Sequence, residues 1–546
     1  MRSPARTTTA RPWLRLSIAL LAVGCTIARS SPEHPPATAS ALSELSEARL
    51  GPIRTYIKSA WHSLERTHRD LAIAARDAKV PHREGEPWPV YVPANANLAG
   101  IEAKLAAQMA PPDRLRIGLR PLAARAQPGL LYLPHPYVVP GGRFNEMYGW
   151  DSYFIVLGLL RDGEVALARD MTDNLIYEVE HYGHVLNANR TYYLTRSQPP
   201  FLTEMVLSVY RATSDRKWLD RAFPAVEAYH RFWVSEPHVV QPSGLSRYFD
   251  MGEGPAPEVV AGERNEHGQS HYDRVRAYYR THAVPDYPID EFYDRARDDL
   301  TPLYYKGDRS MRESGFDPSN RFGPFGADII HYLPVCLNAL LYRMEIEAAE
   351  IAIILGRSQA ADAFLGRAQI RRAAIDALLW DEQAGLYFDF DFQTGHKRTY
   401  PFATTFYPLW AGLASPGQAK RVRNNLARFE QPGGIMTSTL VSGSQWDAPF
   451  GWAPLQLLAI EGLRRYGYDE DAGRIRNKFL SLVVEVFESH GTIVEKYDVV
   501  RRSSDVSAGL RFGYDSNEIG FGWTNGVFVE LAARPKVSPQ EEQESR

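Results

Sequence analysis

The feature that most constrains this chain is a helical apolar period that recurs along nearly all of its length. Leu337, Leu340, Leu341, Met344, Ala348 and Ile351 follow the i, i+3, i+4, i+7 spacing of a helix with one buried face. Ala361, Phe364, Leu365, Ala368, Ile375 and Leu379 repeat that spacing directly afterwards, and similar runs cover 157–180, 200–213, 216–234, 453–466 and 470–488. Many amphipathic helices with few strand signals must bury their stripes against one another, which predicts an all-α domain. One segment departs from the pattern. Leu386-Tyr387-Phe388-Asp389-Phe390-Asp391 alternates like a strand and reaches a Thr394-Gly395 turn, which predicts a small β-hairpin. A length of 546 residues with 44% hydrophobic side chains is ample for a large core. No linker interrupts 49–533, so that span reads as one domain.

The two ends read differently. Arg2, Arg6, Arg11 and Arg15 precede or border an apolar run at 14–24, too short to span a membrane but suited to a secretory signal over 1–25. Ala22-Val23-Gly24-Cys25 resembles an imperfect lipoprotein cleavage site; an ordinary signal cut somewhat later is the other reading. Both predict an exported, periplasmic protein, and the first adds a membrane anchor through Cys25. Residues 26–48, rich in Ser, Pro and Ala, read as a flexible leader, and 534–546 as a disordered polar tail. With Cys25 removed or lipidated, Cys336 has no disulfide partner and reads as a buried, inert thiol.

A formal charge of −3 without a basic patch gives no support for a nucleic-acid partner. Neither a metal nor an organic cofactor is expected. There is no His-Glu-x-x-His or Cys-x-x-Cys pair, His181 and His184 lack further ligands, and Asp389 with Asp391 lacks the rest of a calcium loop. The glycines from Gly520 to Gly526 do not have dinucleotide-binding spacing. A neutral small molecule fits this balance.

Two distant segments narrow the choice. In one, Pro140-Gly141-Gly142-Arg143-Phe144 leads into Tyr148-Gly149-Trp150-Asp151; the other is Gln445-Trp446-Asp447-Ala448-Pro449-Phe450-Gly451-Trp452. Each sets aromatic rings beside charged groups, as a sugar site needs: ring faces cover the C–H side of a pyranose, while Arg, Asp and Gln satisfy its hydroxyls. Hydrolysing a glycoside commonly takes two carboxyls, one protonated to release the leaving oxygen and one ionised. The chain has too many acids for composition to choose the pair.

In both segments, and over roughly 85–533, the chain resembles the trehalases of glycoside hydrolase family 37. The resemblance implies an (α/α)6 barrel with active-site loops at one end, and inverting hydrolysis of the disaccharide α,α-trehalose. Arg312-Glu313-Ser314-Gly315-Phe316-Asp317 matches the segment of the general acid, which lands on Asp317, and Val494-Glu495-Lys496-Tyr497 matches that of the base, which lands on Glu495. Taken alone, Asp317 reads as a capping residue before a turn and Glu495 as a surface ion-pair residue. Phe316 and Phe322 could desolvate Asp317 and raise its pKa; Lys496 could keep Glu495 ionised, although neighbours in a strand point to opposite faces. The implied sugar contacts are Arg143, Trp150, Asp151, Asn187, Arg196, Ser197, Gln198, Glu258 and Gly315.

Departures from the family pattern bear on the substrate. The family arginine before Pro257-Glu258 is Ala256 here, and the glycine-rich lid is replaced over 508–519. An ungapped count back from Phe521 puts Tyr514 at the lid glutamate, for which Glu518 or Asp515 could substitute. Smaller changes are Phe316, Cys336 and Phe450. An inverting glycosidase for another short α-glucoside, or a non-catalytic trehalose-binding protein, are the alternatives these departures permit.

Overall fold

A computed structural model describes residues 45–533 except 125, 261–263, 265–266, 285–286, 508–509 and 515. The expected signal, Cys25, the leader up to 44, Asp515 and the tail lie outside the described residues. The first helix begins at Glu47, inside the stretch expected to be leader.

Among the described residues the helices are α1 (Glu47–Leu64), α2 (Gly149–Asp162), α3 (Val165–Tyr182), α4 (Leu202–Thr213), α5 (Arg216–Trp233), α6 (Pro302–Glu313), α7 (Val335–Leu355), α8 (Ser358–Leu378), α9 (Tyr407–Ala411), α10 (Pro416–Asn424), α11 (Ala453–Arg465), α12 (Asp469–His490) and α13 (Gly522–Ala532), with shorter ones between. Six of them close a ring, α2 against α4, α4 against α7, α7 against α9, α9 against α11, α11 against α13 and α13 back against α2. A second layer surrounds it: α3 packs on α2 and α4, α5 on α4 and α7, α8 on α7, α12 on α11 and α13, and α1 on α12 and α13. This is the (α/α)6 barrel. The inner helices are buried on most of their surface because both of their sides are covered; α7 buries Leu337, Leu340, Leu341, Met344, Ala348 and Ile351.

The α2–α13 seam rests on two glycines. A Cβ on Gly526 would stand 1.9 Å from the Phe154 carbonyl oxygen, and one on Gly158 would stand 2.6 Å from the Gly526 Cα. Any larger residue at either position would push the two inner helices apart.

The expected hairpin is present, with Asp389–Asp391 paired to His396–Arg398. Its acids do structural work. Asp391 accepts the backbone N–H groups of Gln393 and Thr394 across the turn, and Asp389 receives the Arg321 guanidinium at 2.5 and 2.7 Å together with the Val335 N–H that opens α7. Cys336 is buried beside them, with Arg321 Nη1 donating to its sulfur at 3.5 Å, and burial pushes the thiol up. A three-stranded parallel sheet, Trp88–Val92 between Ile117–Pro121 and Leu130–Leu131, was not expected.

Candidate active site

Loops at one end of the barrel enclose a cavity of 640 Å³. Trp150 and Asp151 reach it from the first turn of α2, and Trp523 from the first turn of α13. Helix N-termini carry partial positive charge, so this end favours carboxylates and hydroxyl oxygens.

The first signature builds one wall. Trp150 donates its backbone N–H to Gln198 Oε1 at 2.9 Å, and its ring meets Phe316, Trp446 and Trp523 at centroid distances of 5.6, 5.9 and 5.6 Å. Gly315 has to be glycine here. Its φ is +75°, and a Cβ would approach the Trp150 ring at 3.0 Å. Asn187, whose N–H bonds the Arg196 carbonyl at 2.9 Å, brings the 187–198 loop to the same wall. Arg196 is buried against the Tyr193 ring, donates to Glu258 and stands 3.7 Å from Asp250.

Asp317 follows the C-terminal end of α6. The second signature holds its loop from across the cavity: Gln445 Nε2 donates to the Asp317 carbonyl, and Asp447 accepts the Asn320 N–H at 2.9 Å. The Asp317 side chain lines the cavity and is 35% exposed. Burial pushes its pKa up to about 6 even though Arg312 and Arg196 pull it down. A carboxyl in that range can hold a proton near neutrality and release it to a leaving oxygen.

Glu495 stands just before the strand Lys496–Asp498, which pairs with Phe450–Trp452 and so brings it beside the second signature. Its side chain is buried. Oε1 accepts the Tyr514 hydroxyl, while Oε2 lies 3.6 Å from Lys496 Nζ and has no hydrogen-bond partner among the described residues. Lys496 therefore does reach back to Glu495 despite the strand geometry, and also donates to Gln445 Oε1 and the Tyr514 carbonyl. Burial raises the Glu495 pKa; Lys496, the Tyr514 hydroxyl and Arg143 oppose the rise. Asp151, buried near both Glu495 and Asp317, is pushed well above the usual carboxylate range by burial and by those two charges.

Of the sugar contacts expected from the sequence, Arg143, Trp150, Asp151, Asn187, Arg196, Gln198, Glu258 and Gly315 line the cavity together with Asp317 and Glu495. Ser197 does not. Its hydroxyl is turned into the core, donating to the Val185 carbonyl at 2.6 Å and meeting the Tyr229 hydroxyl at 2.8 Å, which locks the loop rather than facing a ligand. Glu518 does not line the cavity either: it accepts the Arg143 N–H at 3.0 Å and lies 3.8 Å from the Arg143 Nε. Ala256, at the family arginine position, is fully buried in a side cluster. Reading the sequence missed Arg312, which enters the cavity from the last turn of α6 and stands 3.4 Å from Asp317 Oδ2. Gln445 and Trp446 of the second signature and Tyr514 of the altered lid also line the wall, as does Trp523, to which the sequence reading gave no cavity role. The aromatic content of the second signature was the available signal for Trp446; Trp523 lies outside both signatures.

A family model described as trehalase matches residues 53–534. The chain is 34% identical over 562 residues to the cytosolic neutral trehalase of Emericella nidulans, an alignment spanning 89% of this chain and 72% of that protein. It is 39% identical over 425 residues to the periplasmic trehalase of Xanthomonas campestris pv. campestris, spanning 74% of this chain and 69% of the relative. Among solved structures, neutral trehalase Nth1 from Saccharomyces cerevisiae superimposes with a TM-score of 0.73 at 31% identity, covering 91% of this chain and 99% of that one.

Proposed function

Because the chain belongs to the trehalase family, we propose that its cavity hydrolyses α,α-trehalose to two glucose molecules with inversion, Asp317 acting as general acid and Glu495 as general base. The observation that carries this reading is the meeting of the two carboxyls in one aromatic-walled cavity, each in the environment its role needs. Asp317, pushed up to about 6 by burial, gives its proton to the glycosidic oxygen as the C–O bond breaks. Glu495, facing Lys496 and the Tyr514 hydroxyl, accepts a proton from the water that attacks the anomeric carbon from the opposite side. Trp150, Trp446 and Trp523 cover the apolar faces of the sugar rings and exclude water. Arg143, Asn187, Arg196, Gln198 and Glu258 bind hydroxyls, and Arg312 supplies the guanidinium that Ala256 cannot.

The test is proton NMR of the protein with α,α-trehalose, beside Asp317→Asn and Glu495→Gln. Early β-glucose from one half of the disaccharide, absent in both variants, is the expected result. Intact trehalose with hydrolysis of another α-glucoside would move the reading to that substrate, and tight binding without turnover would make the protein a receptor.

Export through the signal at 1–25, with lipid attachment at Cys25 as the anchored form, completes the proposal. Its support is the arginine-flanked apolar run and the periplasmic relative. Fractionation of cells expressing the full chain and its Cys25→Ser variant tests it: cytosolic protein overturns export, and an unchanged membrane fraction overturns the anchor.

A further inference from the structure

We propose that Tyr514 is the positioning residue of the base: its hydroxyl holds Glu495 by one carboxylate oxygen and leaves the other to the attacking water. The inference rests on the reading of Glu495 as base and goes beyond it, because it assigns the altered lid a task in the reaction.

The geometry is specific to one atom of each partner. The Tyr514 hydroxyl donates to Glu495 Oε1 alone. Oε2 has no hydrogen-bond partner among the described residues, although the residue is only 1% exposed. Oε2 faces the Lys496 ammonium at 3.6 Å, beyond hydrogen-bond distance, so it keeps the lone pair that a water admitted with the substrate would bond while handing over its proton. The ring that carries the hydroxyl is held from several directions. Lys496 Nζ lies 3.7 Å and the Arg143 guanidinium 4.2 Å from its centroid, Lys496 Nζ donates to the Tyr514 carbonyl at 3.1 Å, and the Phe144 ring meets it edge-on. The lid that bears it is stitched on both sides, through Arg511 N–H to the Gly443 carbonyl at 2.7 Å and Glu495 N–H to the Glu518 carbonyl at 2.9 Å.

Glu518, the neighbouring acid that could have taken the lid's place, is engaged with Arg143 and stays outside the cavity. Among the described residues, what the lid offers the cavity is thus a phenol rather than a carboxylate. A carboxylate beside Glu495 would repel it and raise its pKa; a phenol donates to it and lowers it. Burial and the adjacent carboxylate push the Tyr514 hydroxyl well above its ordinary value, so it keeps its proton and remains a donor. The other charged groups facing Glu495 are Lys496 and Arg143, which favour its ionised form, and Glu518 and Asp151, which oppose it; Asp317 acts on the same cluster through Asp151 and Tyr514.

The sign follows from the role. The base works only when ionised, so activity is lost as pH falls through its pKa, and removing a donor that lowers that pKa moves the loss to higher pH. Tyr514→Phe keeps the ring and its cation contacts and deletes only the hydroxyl. Its kcat should fall about 10- to 100-fold with KM nearly unchanged, and the acidic limb of its pH–rate profile should rise by about one pH unit, the sizes expected of one charge-assisted hydrogen bond. An unshifted limb with wild-type kcat, while Glu495→Gln is inactive, overturns the role of Tyr514 and leaves the base in place. Activity that survives Glu495→Gln instead removes the base reading itself. Should thermal melting show Tyr514→Phe to be unfolded, 3-fluorotyrosine at 514 replaces it. That stronger donor should move the acidic limb down, and an unmoved limb again overturns the proposal.

Discussion

Arg312 Nη1 stands 3.4 Å from Asp317 Oδ2, while the other two nitrogens of the same guanidinium grip Asp308 at 3.1 and 3.2 Å. Asp308 also accepts the Tyr272 hydroxyl at 2.9 Å. The acid therefore faces a cation already largely neutralised by another carboxylate. That arrangement lets burial dominate: Asp317 ends at about 6 rather than being drawn down into the range of an ordinary salt-bridged aspartate.

The alkaline limb of the pH–rate profile should report this group. A general acid must be protonated, so activity is lost as pH rises through its folded-state pKa. Measured as kcat/KM on trehalose, the alkaline limb should fall with an apparent pKa of about 6. Full activity persisting beyond pH 8 would exclude Asp317 as the proton donor in the free enzyme.

Arg312→Met tests the partner. It removes the charge that lowers Asp317, so the alkaline limb should move upward. It also removes a guanidinium from the cavity, and one charge-assisted bond of about 1.5–3 kcal/mol corresponds to a 10- to 150-fold loss in kcat/KM. Steady-state kinetics across pH separates the two effects. A drop in kcat/KM with no movement of the limb would confine Arg312 to binding.

The legible and illegible parts of this chain differ in physical kind. The period through Leu337, Leu341, Met344 and Ala348 was readable because a buried helix face repeats locally, and the ring those helices form follows from each having to cover its stripe. The sheet around Trp88–Val92 was hidden by Pro89, which argues against an interior strand; here the strand is the middle one, but Pro89 is paired on one side only, opposite Gly118, because Leu130–Leu131 reach only Val90 and Tyr91. Arg312 was hidden for a different reason. It lies on a helix among Lys306, Asp308 and Arg309, which reads as a solvated charged face, and only the tertiary fold turns that face into the cavity. Ser197 shows the converse case, since a residue flanked by cavity-lining Arg196 and Gln198 points its hydroxyl the other way. Adjacency in a loop says little about side-chain direction.

Asp389 supports the site from behind. It is buried, takes both ends of the buried Arg321 guanidinium and caps the opening N–H of α7. Arg321 follows Asp317 by four residues, so the pair anchors the loop that carries the acid. Replacing one partner of a buried pair leaves the other charge unpaired at a cost of about 3–5 kcal/mol. Asp389→Asn should lower the urea midpoint accordingly, and a midpoint within error of wild type would show that the loop is anchored elsewhere.

Gly315→Ala asks how finely the acid loop is set against the sugar platform. The residue sits at φ +75°, where an alanine costs about 1–2 kcal/mol from backbone sterics alone. The added Cβ would also stand 3.0 Å from Trp150 Cε2 and Cζ2, closer than a side chain normally tolerates, and Trp150 is held by Phe316, Trp446 and Trp523 on its other sides. The ring cannot retreat freely, so the loop must give, and Asp317 lies two residues further on. A displacement of about 1 Å between acid and substrate can cost on the order of 100-fold in rate. Gly315→Ala should therefore lose far more kcat than its loss of 1–2 kcal/mol in stability would suggest. Thermal melting and kcat measured on the same preparation compare the two, and a variant that melts early but turns over trehalose at the wild-type rate would show that the loop and the tryptophan platform move independently.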